Sequence, residues 1–313
     1  MPRSTTKSPS RVRFLPLSSR AREGIAGYLF LLPWLIGFIC ITLGPILASL
    51  ALSFTNFSGS FARADWVGFD NYVRMFTADR AFWGSLKVTS QYVFISVPIL
   101  LIFALAVAIT LNRGLSMLGI YRTIFYLPSL IGTSVAIAVL WRYVFGEHGL
   151  INHVLDVFGI EGFSYIGDPR TALGTIIVLN VWTFGAPMVI FLAGLRQIPT
   201  ELYEAATIDG ARSWQRFWHI TLPSLSPLVL FNGVLSMIGG FQAFTQVYVV
   251  SDGTGGPAGS TLFYTLLLYQ RAFTQLQLGY ASAMAWVLLI LIAAITVLFF
   301  LSARYWVHYG DEQ

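Results

Sequence analysis

The chain of 313 residues is 56% hydrophobic and only 11% charged, with a formal net charge of +5. Soluble domains carry about 25% charged residues, so the composition excludes an ordinary soluble protein and indicates a chain that folds in a membrane. Aromatic residues make up 15% of the chain, which suits a protein with two membrane–water interfaces, where amphipathic rings collect.

The first 26 residues form a basic arm with no acidic residue before Glu23. Its basic residues are Arg3, Lys7, Arg11, Arg13, Arg20 and Arg22. Positive charge beside an apolar segment favours the cytoplasmic side, so we expect the arm to lie there against lipid headgroups. A nucleic-acid-binding tail is the alternative, which the adjacent membrane segment disfavours. The apolar run that follows is too long for a cleaved signal peptide and lacks a small-x-small cleavage site.

Six apolar segments without Asp, Glu, Lys or Arg follow the arm. Each can cross roughly 30 Å of hydrocarbon as a helix. They cover residues 27–54, 88–111, 123–141, 171–195, 225–250 and 282–303. The sequence therefore predicts an all-α membrane protein with six transmembrane helices in a domain over 27–305. An even number of spans returns the chain to its starting side, so both termini, including the tail 306–313, are predicted to be cytoplasmic.

Two features lie between the fifth and sixth segments. The apolar stretch 261–268, with a polar continuation through Arg271, is too short to span and predicts a short helix at the outer surface. The stretch SDGTGGPAGS, 251–260, resembles a dinucleotide-binding loop, but it follows a membrane helix and Pro257 breaks the expected helix start, so it is interpreted as a turn. No GxxxxGK[ST] occurs in the chain. ATP would therefore have to bind another polypeptide.

The sequence predicts neither a metal site nor a catalytic site. Cys40 is the single cysteine, so no thiolate cluster can form. The four histidines show no ligand spacing, and they are His148, His153, His219 and His308. No combination of nucleophile, base and metal emerges.

The loop 196–223, between the fourth and fifth spans, predicts a short helix that ends at a glycine. Pro199 and Thr200 suit a helix start, and Glu204 is close enough to that start for its negative charge to be favoured by the backbone dipole. The helix should end near Asp209 and Gly210, because glycine adopts the left-handed conformation that closes a helix.

A second short helix, 214–221, should follow in the same loop. Ser213 is predicted to cap it, and Pro223 is predicted to separate it from span five. It presents Trp214, Phe217 and Trp218 at near-helical spacing. On these features alone, the loop also fits an amphipathic connector that lies on the membrane surface.

The spacing of seven residues in this loop resembles the EAA loop of binding-protein-dependent ABC importers. These residues are Glu204, Ala205, Ala206, Gly210, Ile220, Leu222 and Pro223. Four further stretches are similar to the sugar permeases related to the maltose and glycerol-3-phosphate systems. They are WVGFDNYVRMF at 66–76, FYLPSLIG at 125–132, IFLAGLRQIPTELYEAATIDGA at 190–211 and YASAMAW at 280–286. The resemblance covers roughly residues 25–305, without the basic arm.

The resemblance implies a type I ABC importer permease in a bacterial or archaeal inner membrane. It also implies a second related permease, two ATPase subunits that bind ATP and Mg²⁺, and an extracytoplasmic solute-binding protein. No cofactor is expected in this chain. Glu204 would meet donors in the ATPase groove, and Ala205 would allow close approach. The residues implied to couple the permease to the ATPase are Glu204, Ala205, Ala206, Asp209, Gly210, Ile220, Leu222 and Pro223.

The predicted spans contain no ionisable Asp, Glu, Lys or Arg, so a neutral polar solute is expected. Amides can bind hydroxyls, and aromatic faces can stack on sugar rings. The candidate contacts are Asn180 and Trp182 in span four and Gln242, Phe244 and Gln246 in span five. Gln242 is the first candidate, because the preceding glycines leave room and could loosen the helix. The alternative for each amide is an interhelical hydrogen bond.

A sugar importer has three alternatives, which the sequence favours less. The same family includes glycerol-3-phosphate importers, but a phosphate ester would favour a basic residue in the membrane. An ion-coupled secondary carrier would use internal repeats and buried ionisable groups, and neither feature is found. A membrane-embedded enzyme would show clustered His, Asp or Glu.

Overall fold

The computed structural model describes residues 19–59, 64–113 and 117–308. Most of the basic arm and the end of the tail, two predicted segments, lie outside the described residues. The described part is helical, and no β-strand occurs in it beyond an isolated bridge between Thr55 and Trp66. The helices are α1 Ser19–Gly37, α2 Gly44–Leu52, α3 Asp70–Thr77, α4 Arg80–Leu111, α5 Leu118–Ile131, α6 Val135–Phe145, α7 Leu150–Val157, α8 Ala172–Trp182, α9 Gly185–Leu195, α10 Thr200–Ile208, α11 Ser213–Arg216, α12 Leu222–Phe241, α13 Thr245–Val250, α14 Tyr264–Tyr269 and α15 Leu278–Trp306.

The described helices provide up to six membrane passages. Four continuous stretches are long and apolar enough to cross: Gly27–Leu52, Arg80–Leu111, Ser213–Phe241 and Leu278–Trp306. Two bent pairs supply the others, Leu118–Ile131 with Val135–Val157 and Ala172–Trp182 with Gly185–Leu195. This architecture confirms the prediction of an all-α membrane protein.

The chain divides into two compact units, one up to Ala51 and one from Leu52 onward. The first unit is a single helical run in which α1 leads into α2 through a π-helical turn, Phe38–Leu43. The second unit is built around α4, which packs against α8, α9, α12 and α14. Its core contains fully buried aromatic side chains such as Phe82 and Tyr264.

Span three is broken, although the sequence predicted one continuous helix over 123–141. α5 ends at Ile131, and Ser134 caps α6 by accepting the Ile137 N–H at 3.3 Å. A Cβ added to Gly132 would lie 2.3 Å from Thr183 Cγ2. The chain therefore turns where its backbone closely approaches span four.

Span four is also broken, at the residue that approaches Gly132. α8 and α9 differ in direction by 42°, whereas the sequence predicted an unbroken segment. Pro187 has no N–H, so it cannot bond to the carbonyl of Thr183 as a regular helix requires. At the end of α8, the Thr183 hydroxyl donates to the Asn180 carbonyl at 2.7 Å.

Pro223 does not separate the second short helix of the loop 196–223 from span five, contrary to the prediction. α11, a π-helical turn over Phe217–Thr221 and α12 form one helical stretch from Ser213 to Phe241. The Leu222 N–H donates to the Phe217 carbonyl, which is the wider spacing of a π-helix. This widened turn accommodates the proline, which lies near the start of α12 and lacks a donor.

The predicted short helix after the glycine-rich turn exists as α14 but does not lie on a surface. Phe263, Tyr264 and Leu266 are fully buried. The Tyr264 hydroxyl donates to the Met284 carbonyl at 2.8 Å, and the Tyr264 N–H donates to Thr89 at 2.8 Å. The apolar residues that indicated a surface helix instead insert α14 between α4 and α15.

A buried ion pair joins the start of α4 to the turn that follows α14, and Tyr280 near the start of α15 contacts the same carboxylate. Asp79 caps α4 through Oδ1, which accepts the N–H groups of Ala81 and Phe82. Its Oδ2 accepts hydrogen bonds from Arg271 at 2.8 Å and from the Tyr280 hydroxyl at 2.7 Å. The Asp79 side chain is only 6% exposed and that of Arg271 16%.

The environment of Asp79 stabilises its charged form. Burial alone would raise the pKa of this carboxyl, but the Tyr280 hydroxyl, the Arg271 guanidinium and the two backbone N–H groups together hold the pKa below its usual range. Removing the charge would leave Arg271 buried without a counterion.

We expect Asp79→Asn to destabilise the folded chain by about 3 kcal/mol, because Arg271 loses its buried partner. The control is Asp252→Asn, which breaks the exposed ion pair with Arg142 and should cost less than about 1 kcal/mol. Thermal unfolding in detergent measures the stability of both variants.

Folding lowers the pKa of Asp79. The stabilisation that its charge provides is therefore complete above the pKa of the unfolded chain and is lost as the pH falls through the pKa of the folded chain. The difference from wild type should therefore persist down to about pH 4 and shrink only below it. Equal midpoints for both variants would contradict this assignment.

Candidate functional site

The loop between spans four and five folds as the two predicted short helices. We refer to them, over residues 200–221, as the elbow. α10 covers Thr200–Ile208 and is followed by Gly210 in the left-handed region at φ 75°. The second helix begins at Ser213 rather than being capped by it, because Arg212 occupies the capping position. The Arg212 N–H donates to the Gln215 side chain at 2.8 Å, which satisfies this helix start.

Two side-chain contacts fasten the helices of the elbow to each other. The Tyr203 hydroxyl lies 2.9 Å from Thr221 Oγ1, and Arg216 donates to Thr207 Oγ1 at 3.0 Å. This pairing was not predicted from the sequence. Its only local signal was the i, i+4 spacing that places Tyr203 and Thr207 on one face of α10.

The predicted coupling residues divide into an accessible group and a packed group. Glu204, Ala205, Asp209 and Gly210 are exposed. The half-buried members are Ala206, Ile220, Leu222 and Pro223. An open groove runs along the accessible side of α10, and its lining consists of Thr200, Tyr203, Glu204, Thr207 and Ile208.

An aromatic cluster covers the second helix of the elbow. Trp214 stacks on Phe217 with ring centroids 5.8 Å apart, and Trp218 meets both rings edge-on at 5.5 and 5.4 Å. Trp214 and Trp218 remain exposed. The elbow therefore presents an exposed apolar surface on its second helix as well as the polar residues of α10.

Span five is interrupted at the predicted solute residues. α12 ends at Phe241, Gln242 is exposed, and the chain resumes as α13 at Thr245, whereas the sequence predicted a single helix over 225–250. A Cβ added to Gly239 would meet no atom within 4 Å, so the backbone here borders open space. The carbonyl of Ala243, freed by the break, accepts the Thr265 hydroxyl at 2.5 Å.

The five predicted solute residues form two groups. Gln242, Phe244 and Gln246 lie together at the break in span five. Asn180 and Trp182 lie at the end of α8, where Trp182 packs on Trp141 of α6 with centroids 6.0 Å apart. No hydrogen bond or ring contact joins the two groups among the described residues.

Helix α6 contacts elements of both groups. Trp141 reaches Trp182, while the neighbouring Arg142 donates to the Val249 carbonyl at 3.3 Å and binds both oxygens of Asp252. α6 also packs along α13. The structure therefore links the two groups through α6 instead of placing them in direct contact.

The three predicted amides have no hydrogen-bond partner for their side chains in the described part of the chain. This holds for Asn180, Gln242 and Gln246, although Asn180 and Gln246 are half-buried. The alternative role, an interhelical hydrogen bond that serves packing, is therefore not seen within these residues. Their donors and acceptors remain open to a solute.

The third, fourth and fifth spans of this helical membrane chain are broken, and its two-helix elbow is exposed. This fold agrees with that of chains in solved ABC transporter structures. A chain in the crystal structure of a bacterial ABC transporter involved in the import of the acidic polysaccharide alginate superimposes with a TM-score of 0.77. The match covers 90% of this chain and 96% of that chain at 21% sequence identity.

Residues 90–307 match the family described as "Binding-protein-dependent transport system inner membrane component". The chain belongs to this family of inner-membrane transport components. It is 49% identical over 293 residues to the "Probable ABC transporter permease protein YesP" of Bacillus subtilis, covering 93% of this chain and 94% of that protein. It is 36% identical over 285 residues to the lactose transport system permease protein LacF of Rhizobium radiobacter, covering 90% and 94%.

We expect Thr265→Val to destabilise the break in span five, because the Ala243 carbonyl loses its donor at a cost of about 1–3 kcal/mol. Thr110→Val is the matched control. Its hydroxyl donates within α4 to the Ala106 carbonyl, which the regular helix already uses. Unfolding midpoints should fall for Thr265→Val only, and amide hydrogen exchange at 242–246 should speed up. Unchanged exchange there would show that Thr265 does not support the break.

Proposed function

We propose that this chain is a permease subunit of an ATP-driven importer that takes up a neutral mono- or oligosaccharide. The observation that carries the proposal is the break in span five, where Phe244 lies in sequence between Gln242 and Gln246, whose amides have no hydrogen-bond partner among the described residues. Amides bind hydroxyls and aromatic faces bind sugar rings. Relatives named for lactose, trehalose and maltose, and arabinooligosaccharides support a carbohydrate as the solute.

The placement of charge supports a neutral solute. The break in span five carries no ionisable side chain between Gly239 and Gln246. Nearby charges are already neutralised, since Arg271 binds Asp79 and Arg142 binds Asp252. A phosphate ester would have to compete with these carboxylates for a cation.

The proposed complex contains a second related permease, two ATPase subunits and an extracytoplasmic binding protein. The sequence has no phosphate-binding loop of the GxxxxGK[ST] type, so ATP and Mg²⁺ would bind the ATPases. The accessible face of α10 would enter a groove on one ATPase. The basic arm and the even number of passages favour cytoplasmic termini, and with that orientation the elbow would lie on the ATPase side.

Coupling would pass through the helix that joins the elbow to span five. ATP-driven closure of the ATPase pair would move the elbow as one body, because Tyr203 and Arg216 tie its helices together. Span five continues from that elbow without interruption up to Phe241. Movement of the elbow would therefore reach the solute residues and reorient the cavity.

Reconstitution tests this function. The permease pair, ATPases and binding protein encoded with it are placed in proteoliposomes, and uptake is measured for glucose, maltose, maltotriose, lactose, arabinotriose and glycerol-3-phosphate. We expect ATP-dependent uptake of at least one neutral sugar. Preference for glycerol-3-phosphate would overturn the neutral-sugar assignment. Uptake without ATP that collapses with a protonophore would indicate a secondary carrier.

We expect Ala205→Trp to abolish transport, because the large ring would block close approach of α10 to the ATPase. The matched control is Ala78→Trp, an exposed alanine outside the elbow. Copurification of the ATPase and ATP hydrolysis stimulated by the sugar-loaded binding protein provide the readouts. Normal stimulation in Ala205→Trp would remove this face of α10 from the coupling contact.

We expect Gln242→Ala to reduce sugar uptake about tenfold, because one or two hydrogen bonds to the solute are lost. Gln242→Asn, which keeps an amide, should retain more activity. Assembly with the ATPases should be unchanged in both variants, because Gln242 is exposed and makes no hydrogen bond with its side chain in the described chain. Wild-type uptake by Gln242→Ala would exclude this residue from the solute site.

A further inference from the structure

Four aromatic rings from two separate segments lie side by side at the break in span five. Phe244 and Tyr248, at the start of α13, have ring centroids 5.4 Å apart. Tyr269, at the end of α14, lies 5.2 Å from Phe244 and 5.5 Å from Tyr248. Phe273, in the π-helical turn Gln270–Thr274, lies 5.1 Å from Tyr269. We refer to these four residues as the aromatic strip.

One side of the aromatic strip is supported by the protein. Gly253 approaches Tyr248 so closely that an added Cβ would lie 3.0 Å from the ring. The Gln270 amide donates to the Gly253 carbonyl at 2.7 Å and thereby ties this turn to the helix that carries Tyr269. Gly253 has a φ of 70°, a conformation that glycine adopts readily. The rings are therefore held in place from behind.

The other side of the strip is open. Phe273 is 64% exposed and Tyr248 is 38% exposed, while Phe244 and Tyr269 are half-buried. Neither tyrosine hydroxyl has a hydrogen-bond partner in the part of the chain that the structure describes. A buried tyrosine usually finds such a partner, so these two hydroxyls are available to a ligand or to water.

The chemistry of the strip fits a carbohydrate better than a lipid chain. A sugar ring has an apolar C–H face and a rim of hydroxyls, whereas an acyl chain needs no polar partner. The strip combines aromatic faces with the phenols of Tyr248 and Tyr269, and the amides of Gln242 and Gln246 lie on the same segment as Phe244. This alternation of stacking faces and hydrogen-bonding groups is what a sugar can use.

We propose that the aromatic strip is a carbohydrate-stacking site that extends the solute site from Gln242 toward Phe273. The inference rests on the proposed function and adds Tyr248, Tyr269 and Phe273 to the residues that contact the sugar. Successive rings give a second and third sugar unit a stacking surface that a monosaccharide does not reach. The strip would therefore favour oligosaccharides.

The test uses the reconstituted importer with its binding protein and the neutral sugars of the panel given above. We expect Phe273→Ala to lower kcat/KM for di- and trisaccharides about three- to tenfold, because one ring contact with the sugar is lost. The effect on glucose uptake should be smaller. Phe273→Tyr should restore uptake because it keeps the stacking face. Phe158→Ala is the control, since Phe158 is 74% exposed and belongs to no aromatic pair among the described residues.

Tyr248→Ala and Tyr248→Phe give a second pair of variants. The phenylalanine should keep most of the stacking and lose only the hydroxyl contribution. Wild-type kcat/KM for every sugar in both Phe273→Ala and Tyr248→Ala would overturn the inference while leaving the proposed function intact. Failure of the wild-type importer to take up any neutral sugar would overturn the proposed function, and this inference with it. Loss of the second permease on copurification, with normal uptake by the complexes that remain, would show a subunit contact instead and would also refute the site.

Discussion

The need to satisfy backbone hydrogen bonds within a membrane constrains this structure most strongly. Water is scarce there, so each broken helix must find replacement partners inside the protein. A hydroxyl side chain acts at each of the three breaks: Ser134 in span three, Thr183 in span four and Thr265 beside span five. The first two bond within their own segment, but Thr265 comes from α14. The break that carries Gln242 therefore depends on a helix that is distant in sequence.

That dependence gives the buried ion pair a role beyond local stability. Arg271 follows α14 in the π-helical turn, and its contact with Asp79 fixes this helix to the N-terminal end of α4. Thr89 fixes the first N–H of α14 to the same helix. α14 in turn supports both the Ala243 carbonyl and the ring of Tyr269. Charged groups thus support the break in span five, which itself carries no charged side chain between Gly239 and Gln246.

Local signals in the sequence predicted much of the fold. The apolar segments predicted the helical membrane architecture, and the Pro199–Thr200 start and Gly210 predicted the bounds of α10, because these signals act within one turn. The breaks in spans three and four were missed because they arise where Gly132 and Thr183 meet across 51 residues of sequence. Pro223 was misjudged because a π-helical turn removed the conflict that a proline usually creates.

The candidate site was predictable only in part. The three amides, Trp182 and Phe244 could be selected from residue type, and the structure places three of those five residues at one break. The pairing of Tyr203 with Thr221 and the assembly of the aromatic strip require contacts between separate helices, so no pattern along the chain reveals them. The coupling and solute roles of the named residues remain predictions.

The unbroken stretch Ser213–Phe241 has a mechanical consequence. Its 29 residues make a rod about 43 Å long at the usual helical rise. If its elbow end acts as the pivot, a tilt of about 10° carries the far end sideways by about 7 Å, more than the rise of about 5.4 Å per helical turn. The proline that was expected to interrupt this rod is instead part of its helix, so a small rotation at the elbow end becomes a displacement comparable to the size of a sugar ring at the other end.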